Sequence, residues 1–156
     1  MASLRARFPG AIEEAPPAFV EAAVATVQRL LAGQKVDLAT IPVDLDGLGA
    51  LDRKVLGYTR TIPQGETRTY GEVAKAIGSP GAAQAVGAAL GRNPVPIVIP
   101  CHRILAAGGR SGGFSAPGGA ETKLKILEIE RARRPGEVGL FDDLPLALKP
   151  DPSCRT

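Results

Sequence analysis

The stretch "TYGEVAKAIGSPGAAQAVGAALGRNP", residues 69–94, decides the fold of this chain. It predicts two short helices in succession, joined by a tight turn with the sequence Gly-Ser-Pro. Thr69 and Glu72 have the spacing of a capping box, in which side chains and backbone satisfy each other's unpaired groups at a helix start. Pro80 suits the first turn of the second helix. Two helices joined in this way form a helix-turn-helix, whose second helix can enter a groove of DNA.

The candidate recognition helix, "PGAAQAVGAALG" at residues 80–91, carries almost only small side chains. Base edges in the major groove are read by Arg, Lys, Asn or Gln, and in this helix only Gln84 belongs to that group. A helix of small residues can instead approach the duplex closely and follow its shape or backbone. An alanine-rich core helix packed against a neighbour is the alternative interpretation.

The remaining elements surround this motif. Apolar residues at helical spacing predict a long helix at residues 16–34 and a second amphipathic helix at 48–63, with an extended connector at 35–47 between them. The proline-bounded run "VPIVIP", residues 95–100, favours a short strand that leads to Cys101. The expected fold class is therefore mainly α (α+β).

Length and composition narrow the function classes. A chain of 156 residues with a 44% hydrophobic share can bury the core of one compact domain. No segment approaches the roughly 20 apolar residues of a membrane span, and we expect an intracellular protein, cytoplasmic if bacterial and nuclear if eukaryotic. Two cysteines and one histidine make neither a disulfide framework nor a tetrahedral zinc site. We expect Cys101 to be a free thiol and Cys154 to be an exposed thiol without a role. We expect no bound metal.

The net charge of +3 is concentrated in the middle of the chain. Basic and acidic residues cancel in residues 1–60 and again in 121–156. The excess lies among Arg68, Lys75, Arg92, Arg103 and Arg110, set against Glu66 and Glu72. Positive charge around the cysteine suits an anionic ligand such as a nucleic-acid backbone, and chance scatter of a few charges is the alternative.

Cys101 and His102 are adjacent, and adjacent side chains do not meet in a regular helix or strand. A group must therefore bridge them if they act together. A thiol needs a nearby base or a positive field to become a nucleophile, and His102 and Arg103 offer local positive character. The carboxylate that would orient the histidine could come from the predicted helix at residues 121–134, which contains Glu121, Glu128 and Glu130. A buried apolar cysteine is the alternative interpretation.

The stretch "NPVPIVIPCHRIL", residues 93–105, resembles the "PCHR" active-site segment of the O6-alkylguanine-DNA alkyltransferases, also called methylated-DNA–protein-cysteine methyltransferases. The resemblance extends over residues 18–134. It implies an alkyltransferase domain with a winged-helix-like helix-turn-helix at residues 46–135. A shortened segment with one long helix would precede it at 1–45, and a tail would follow at 136–156.

The resemblance also implies an activity. Members of the family bind duplex DNA through the minor groove, flip the damaged nucleotide into a pocket and take its alkyl group irreversibly onto the cysteine. We therefore expect a single-turnover methyltransferase for direct-reversal repair of O6-alkylguanine, with O4-alkylthymine left open. We expect no cofactor, double-stranded DNA with alkylated bases as partner, no membrane, and a monomer.

The catalytic roles implied by the resemblance fall on four residues. Cys101 would be the nucleophile and alkyl acceptor, and His102 would act as its base through a bridging water. Glu130 would orient His102. Asn93 would be the hinge between the recognition helix and the active-site segment.

The resemblance also implies which residues contact the DNA and the flipped base. Tyr70 would help to rotate the nucleotide and contact the flipped base, and the backbone carbonyls of Cys101 and Ile104 would receive the exocyclic amine of guanine. Arg103 would help to hold the active-site architecture. The other expected contacts on this side are Gln84, Ala85, Arg92, Phe114 and Ser115.

Three departures from the family pattern stand in this sequence. Gln84 occupies the position of the usual arginine finger, which fills the space left by the flipped base; glutamine lacks the cationic stacking of arginine. The substrate loop has Phe114 and Ser115 followed by an inserted Ala116 and Pro117, so that Phe114 can pack on a base but lacks a hydroxyl group. The β-strands of the usual N-terminal domain look absent or shortened, and the zinc ligands of some members are missing.

Three other functions fit only part of this sequence. A non-catalytic alkyltransferase-like lesion sensor would lack the acceptor cysteine, which is present here as Cys101. A thiol hydrolase would need a separately placed histidine. A helix-turn-helix transcription regulator would need more base-reading side chains than Gln84 alone.

Overall fold

The computed structural model describes residues 9–12, 14–107 and 119–132. The helices among them are α1 (Ala18–Leu31), α2 (Ala50–Arg60), α3 (Tyr70–Ala76), α4 (Ala83–Gly91) and α5 (Gly119–Ile129). Two short strands, β1 (Arg68–Thr69) and β2 (Ile104–Leu105), pair in parallel, and 3₁₀ turns lie at Leu38–Thr40 and Cys101–Arg103. The prediction of a mainly α fold with a small β component is confirmed. No helix in this described part is both long and apolar enough to cross a membrane.

The helix-turn-helix consists of α3 and α4. Its capping box is present: Thr69 Oγ1 accepts a hydrogen bond from the Glu72 backbone N–H at 3.2 Å, and the Glu72 carboxylate accepts one from the Thr69 N–H. The predicted position of Pro80 in the first turn of the second helix is wrong, because α4 begins at Ala83. Gly81 has φ +88°, a left-handed conformation that keeps the chain turning before the helix can start.

The main core is formed by α2, α3 and α4 together with the segment that follows them. Its buried residues are Val55, Leu56, Ile62, Val73, Ala74, Val86, Ala89, Leu90, Ile99, Cys101 and Ile104. Cys101 is thus built into the core of the helix-turn-helix unit. Its surroundings are set by the packing of three helices.

The connector after α1 is fastened onto the end of α2. One guanidinium nitrogen of Arg60, Nη2, donates to the carbonyls of Ala39 at 2.8 Å and Ile41 at 2.7 Å. The Gln64 side-chain oxygen accepts from the backbone N–H of Val36 at 2.9 Å. These bonds satisfy backbone groups of a segment that has no sheet partner, and they hold it against the core. The predicted division at residues 45 and 135 stays a prediction.

The predicted strand at residues 95–100 is wrong. The segment is a loop whose one ladder contact is an isolated bridge between Pro96 and Ile99. Ile97 has φ +77°, which a β-branched residue rarely adopts and which no strand contains. The side chain of Asn93 makes hydrogen bonds to the backbone at Val95 and Ile99 on either side of this loop. This local hydrogen bonding outweighs the preference of the β-branched residues for a strand.

Loss of the capping hydroxyl should weaken the helix-turn-helix. We expect Thr69→Ala to lower the free energy of unfolding by about 1 kcal/mol, since Ala leaves the first-turn N–H group of α3 without its acceptor. Urea denaturation measures the change. Thr26→Ala, at a partly buried position in the middle of α1, is the control and should leave stability equal or slightly higher because alanine favours helices. Equal midpoints for Thr69→Ala and wild type would contradict the stabilising role of the cap.

Candidate active site

Cys101 opens the 3₁₀ turn that follows Pro100, and its side chain is almost fully buried, with 9% of the residue exposed. It is a free thiol. Burial raises the pKa of this thiol, and the pKa is lowered in turn by a hydrogen bond from Asn93, by the charge of Lys123 and by nearby backbone N–H groups. The net direction is upward, so that reaction at neutral pH calls for a base or an opposing charge.

His102 is completely buried beside a carboxylate. Its Nε2 lies 3.1 Å from Oε1 of Glu130. A carboxylate can only accept, so Nε2 carries the hydrogen and Nδ1 keeps its lone pair. Burial lowers the pKa of the imidazole despite the opposing influence of Glu130, which leaves a neutral ring. Nδ1 is buried and has no hydrogen-bond partner among the described residues, so it is free to act as a base.

Glu130 is held in place by Arg103. The guanidinium donates from Nε to Oε2 at 2.9 Å and from Nη2 to Oε1 at 2.7 Å, and its Nη1 donates to the carbonyl of Ile62 at 2.6 Å. Burial alone would raise the pKa of the Glu130 carboxyl, but the bonds from His102 and Arg103 outweigh it and leave the pKa below its ordinary value. Arg103 is 3% exposed, so its guanidinium is turned into the protein and away from any DNA phosphate.

Three glutamates were candidates for orienting the histidine, and the structure brings one of them to it. Glu130 follows directly after α5 and meets His102. Glu121 instead pairs with Lys125 on the helix surface at 2.8 Å, and Glu128 is exposed.

Asn93 links α4 to the loop that leads to Cys101. It lies just beyond the end of α4, and its side-chain amide donates to the Ile99 carbonyl at 3.0 Å while its oxygen accepts from the Val95 N–H at 3.0 Å. The same side chain lowers the pKa of the Cys101 thiol. The left-handed conformation of Ile97 inside this loop is strained by about 1–3 kcal/mol and persists because the surrounding bonds fix it.

The pairing of β1 with β2 brings Tyr70 and Ile104 to the thiol. Tyr70 starts α3 directly after β1, and its ring lies against α4, since a methyl group at Gly87 would stand 3.7 Å from Cε1. Burial raises the pKa of the Tyr70 phenol, and Cys101 raises it further. The carbonyl of Ile104 accepts a hydrogen bond from Nζ of Lys123 at 2.6 Å.

The two interpretations of α4 describe its two faces. Val86, Ala89 and Leu90 are buried in the core, as expected of an alanine-rich core helix. Gln84 and Ala88 are exposed one turn apart, and Ala85 is partly buried. The exposed face is thus formed by one polar side chain and a methyl group, which leaves room for close approach of another surface.

Arg92 forms an ion pair instead of standing free. Its Nε and Nη2 each lie 2.7 Å from a carboxylate oxygen of Asp52, and the hydrogen bonds lower the Asp52 pKa. The Arg92 side chain is still 55% exposed, because the pair lies at the surface where α2 and α4 meet. Arg68 pairs with Glu66 through one hydrogen bond, from Nη2 to Oε2 at 2.7 Å.

Comparison with known proteins now decides the family. Residues 50–132, more than half of the chain, match the family model described as 6-O-methylguanine DNA methyltransferase, DNA binding domain. The chain belongs to this family. The resemblance stated from the sequence is confirmed.

Relatives and solved structures of alkyltransferases agree. The chain is 44% identical over 130 residues to the methylated-DNA–protein-cysteine methyltransferase of Mycolicibacterium paratuberculosis, a match that covers 83% of this chain and 75% of the relative. A Mycobacterium tuberculosis relative of the same name is 46% identical over 107 residues, or 68% of this chain and 64% of its own length.

The crystal structure of Mycobacterium tuberculosis OGT in complex with DNA superposes with a TM-score of 0.65 at 42% identity, covering 78% of this chain and 73% of that one. The methyltransferase of the archaeon Pyrococcus kodakaraensis gives a TM-score of 0.61 at 31% identity, covering 77% and 67%.

Two parts of this alkyltransferase were missed from the sequence. Lys123 is completely buried at the active site, although its position on one helical stripe with Ile126, Leu127 and Glu130 was a signal that could have placed it inside. Asp52 was missed because its partner Arg92 is forty residues away. Phe114 and Ser115, which the sequence assigns to the substrate loop, lie outside the described residues.

An apolar groove of about 470 Å³ lies elsewhere on the alkyltransferase. Its lining comes from α1, the connector and the loop before Cys101, and comprises Phe19, Val20, Ala23, Val24, Val27, Gln28, Ile41, Pro42, Val43, Asp44, Val95 and Val98. None of these is a predicted site residue, so the groove is separate from the candidate active site.

Removal of the Glu130 charge should destabilise this site. Glu130→Gln leaves the buried Arg103 guanidinium without its counter-charge, and we expect the free energy of unfolding to fall by about 3 kcal/mol. Urea denaturation measures it. Glu128→Gln, exposed near the end of α5 two residues earlier, is the matched control and should stay within about 0.5 kcal/mol of wild type. Equal losses for both variants would refute the structural role of the buried pair.

Proposed function

We propose that this chain carries out direct-reversal DNA repair, in which Cys101 takes an alkyl group irreversibly from O6 of guanine in duplex DNA. The observation that carries this proposal is the placement of a buried thiol beside a neutral histidine whose free Nδ1 can accept a proton, in a member of the methyltransferase family. The relatives named above are methylated-DNA–protein-cysteine methyltransferases, and one solved neighbour is bound to DNA. Each protein molecule reacts once.

The proposed reaction is a displacement at the alkyl carbon. The sulfur of Cys101 forms the new S–C bond as the C–O6 bond breaks, and the electron pair of that bond stays on guanine, which then takes a proton from solvent. The thiol proton passes to Nδ1 of His102. Adjacent side chains do not meet directly in a 3₁₀ turn, so this transfer uses a bridging water, which a buried, unpartnered ring nitrogen favours. Glu130 fixes the tautomer and supports the imidazolium that forms.

The nucleotide has to leave the helix to react. Cys101 is only 9% exposed, and the O6 atom of a stacked, paired guanine cannot reach a sulfur inside a protein domain. We propose that α4 approaches the duplex with its exposed face, that Gln84 occupies the space of the flipped base, and that Ala85 and Arg92 lie along the same contact. Tyr70 lies at the start of the neighbouring helix, where it can meet the flipped base. The roles of Phe114 and Ser115 stay predictions.

Transfer of the alkyl group can be observed directly. The protein is mixed with a duplex that contains one O6-methylguanine, and intact and peptide mass spectra are recorded. We expect a gain of one methylene on the peptide that contains Cys101, with no gain for Cys101→Ala or for undamaged DNA. No gain together with lesion-specific binding would refute the transferase and indicate a damage sensor. A gain on Cys154 would refute the assignment of the acceptor.

The side chain of Gln84 should affect the rate of methyl transfer only when a base pair of duplex DNA has to open. We expect Gln84→Ala to slow methyl transfer from duplex DNA by about tenfold, since the orphaned partner base loses a hydrogen bond or stacking contact of about 1–3 kcal/mol. The rate with a single-stranded oligonucleotide should not change, because no partner base is left behind. Gln28→Ala, an exposed glutamine on α1 away from the proposed DNA contact, is the control and should react like wild type with both substrates. Equal slowing on both substrates would assign Gln84 to general DNA binding instead.

A further inference from the structure

Asp52 and Arg92 form a two-point ion pair at the surface where α2 and α4 meet. Nε and Nη2 of the guanidinium donate to separate carboxylate oxygens of Asp52, each at 2.7 Å. These hydrogen bonds lower the pKa of Asp52 and raise the pKa of Arg92, so both groups stay charged at neutral pH. Two parallel bonds fix the plane of a guanidinium as well as its position. Arg92 is therefore held in one orientation.

The carboxylate of Asp52 is the fixed partner of this pair. Only 7% of the residue is exposed. It lies in the first turn of α2, where the positive end of the helix dipole favours a negative charge. Arg92 instead follows the last turn of α4, and its side chain is 55% exposed. A long exposed side chain samples many rotamers unless it is bound, so the restraint on Arg92 comes from α2.

Arg92 continues the exposed stripe of α4 that is proposed to meet DNA. Gln84 and Ala88 are exposed along this stripe, and Arg92 follows at the same spacing of four residues. It is the only charged residue in the sequence 83–92. Eight residues of helix separate Arg92 from Gln84 by about 12 Å along the axis, compared with a minor-groove width of about 6 Å. A helix that places Gln84 among the bases thus brings Arg92 to the sugar–phosphate backbone.

The pair leaves most of the donors of Arg92 unused by Asp52. A guanidinium has five N–H groups, and the carboxylate takes one on Nε and one on Nη2. The two N–H groups of Nη1 and the second one of Nη2 can bind phosphate oxygens while the pair stays intact. Exchange of the carboxylate for a phosphate would only replace one charge-assisted pair by another of the same kind. Binding with the pair kept adds hydrogen bonds and gives up none.

We propose that Asp52 is a positioning residue for DNA binding, which holds Arg92 so that the unused edge of its guanidinium meets a backbone phosphate of the duplex. The inference rests on the proposed function, in which the exposed face of α4 approaches the DNA. A phosphate contact reads no base, so it acts on damaged and undamaged duplexes alike and fixes the position of α4 on the backbone. An acidic residue thereby strengthens binding to a polyanion.

A double-mutant cycle on undamaged double-stranded DNA tests this proposal. Dissociation constants of the full chain for a fluorescent duplex are measured at several salt concentrations. We expect Arg92→Ala to weaken binding about tenfold and to reduce the slope of log affinity against log salt by about 1, as for the loss of one phosphate contact. In an Asp52→Asn background the same change should cost at least about threefold less, because the arginine is no longer held.

The sign of the coupling decides between positioning and competition. Glu21→Gln is the matched control, since it also removes one negative charge but lies exposed on α1, and it should leave the effect of Arg92→Ala unchanged. If Arg92→Ala costs more in the Asp52→Asn background than in wild type, Asp52 competes with the phosphate and the proposal is overturned. Equal costs in the two backgrounds would overturn it as well, because the pair would then serve only the contact between α2 and α4.

A second variant leaves Asp52 in place. Arg92→Lys keeps the charge, but its single nitrogen cannot form the two-point pair and also present a fixed edge of donors to phosphate. We expect it to bind nearly as weakly as Arg92→Ala, and binding as tight as that of wild type would overturn the proposal. Circular dichroism and thermal unfolding establish that each variant is folded. If Asp52→Asn is not folded, Arg92→Lys alone decides.

Methyl transfer to Cys101 from a duplex with O6-methylguanine, measured in parallel, separates this inference from the proposed function. Transfer by a wild type whose cycle shows no coupling would overturn the role of Asp52 and leave the repair function standing. Coupling on undamaged DNA without any transfer would refute the repair function and support the role of Asp52.

Discussion

The buried carboxylate of Glu130 joins three parts of the chain that are far apart in sequence. It lies after the last described helix, contacts His102 and Arg103 in the turn that carries Cys101, and through Arg103 reaches the Ile62 carbonyl beyond α2. A carboxylate is tolerated inside a protein when its charge is matched and its lone pairs are used, and here three donors use them. The histidine tautomer, and with it the free ring nitrogen, follows from the same contact. Loss of this one group would remove both the architecture and the acid–base assignment.

The helix-turn-helix could be predicted because its signals are local. The capping box depends on two residues three positions apart. The core helices depend on apolar residues that recur about one helical turn apart. The statement that Cys101 and His102 do not pair directly also came from spacing alone. Glu130, in contrast, could be separated from Glu121 and Glu128 only through the family resemblance, because all three lie on one predicted helix and differ in what they meet across the core.

The features that could not be predicted depend on side chains that contact distant or irregular backbone. The run at residues 95–100 has strand composition, but the Asn93 amide closes it into a loop and Ile97 takes a left-handed conformation. Lys123 was overlooked because a lysine on an apolar stripe usually extends to solvent, while here its ammonium meets the Ile104 carbonyl inside. The central positive charge was counted correctly, yet Arg68, Arg92 and Arg103 are each paired with a carboxylate. Net charge alone therefore overstates the free basic surface offered to a phosphate backbone.

Three locally unfavourable features lie close to one another around Cys101. The strained Ile97, the buried Lys123 and the unpartnered Nδ1 of His102 all surround the loop and turn that hold Cys101. Each is unfavourable by itself, and each is held by its neighbours: Ile97 packs against the cluster of Leu30, Leu38, Ile41 and Val98, Lys123 donates to the Ile104 carbonyl, and the other ring nitrogen of His102 meets Glu130. Local preference and global fold agree in natural proteins except where function demands otherwise. These conflicts surround a single thiol, while the helices beneath it follow their local signals. The conformation of this loop is therefore selected for the reaction at sulfur and not for stability.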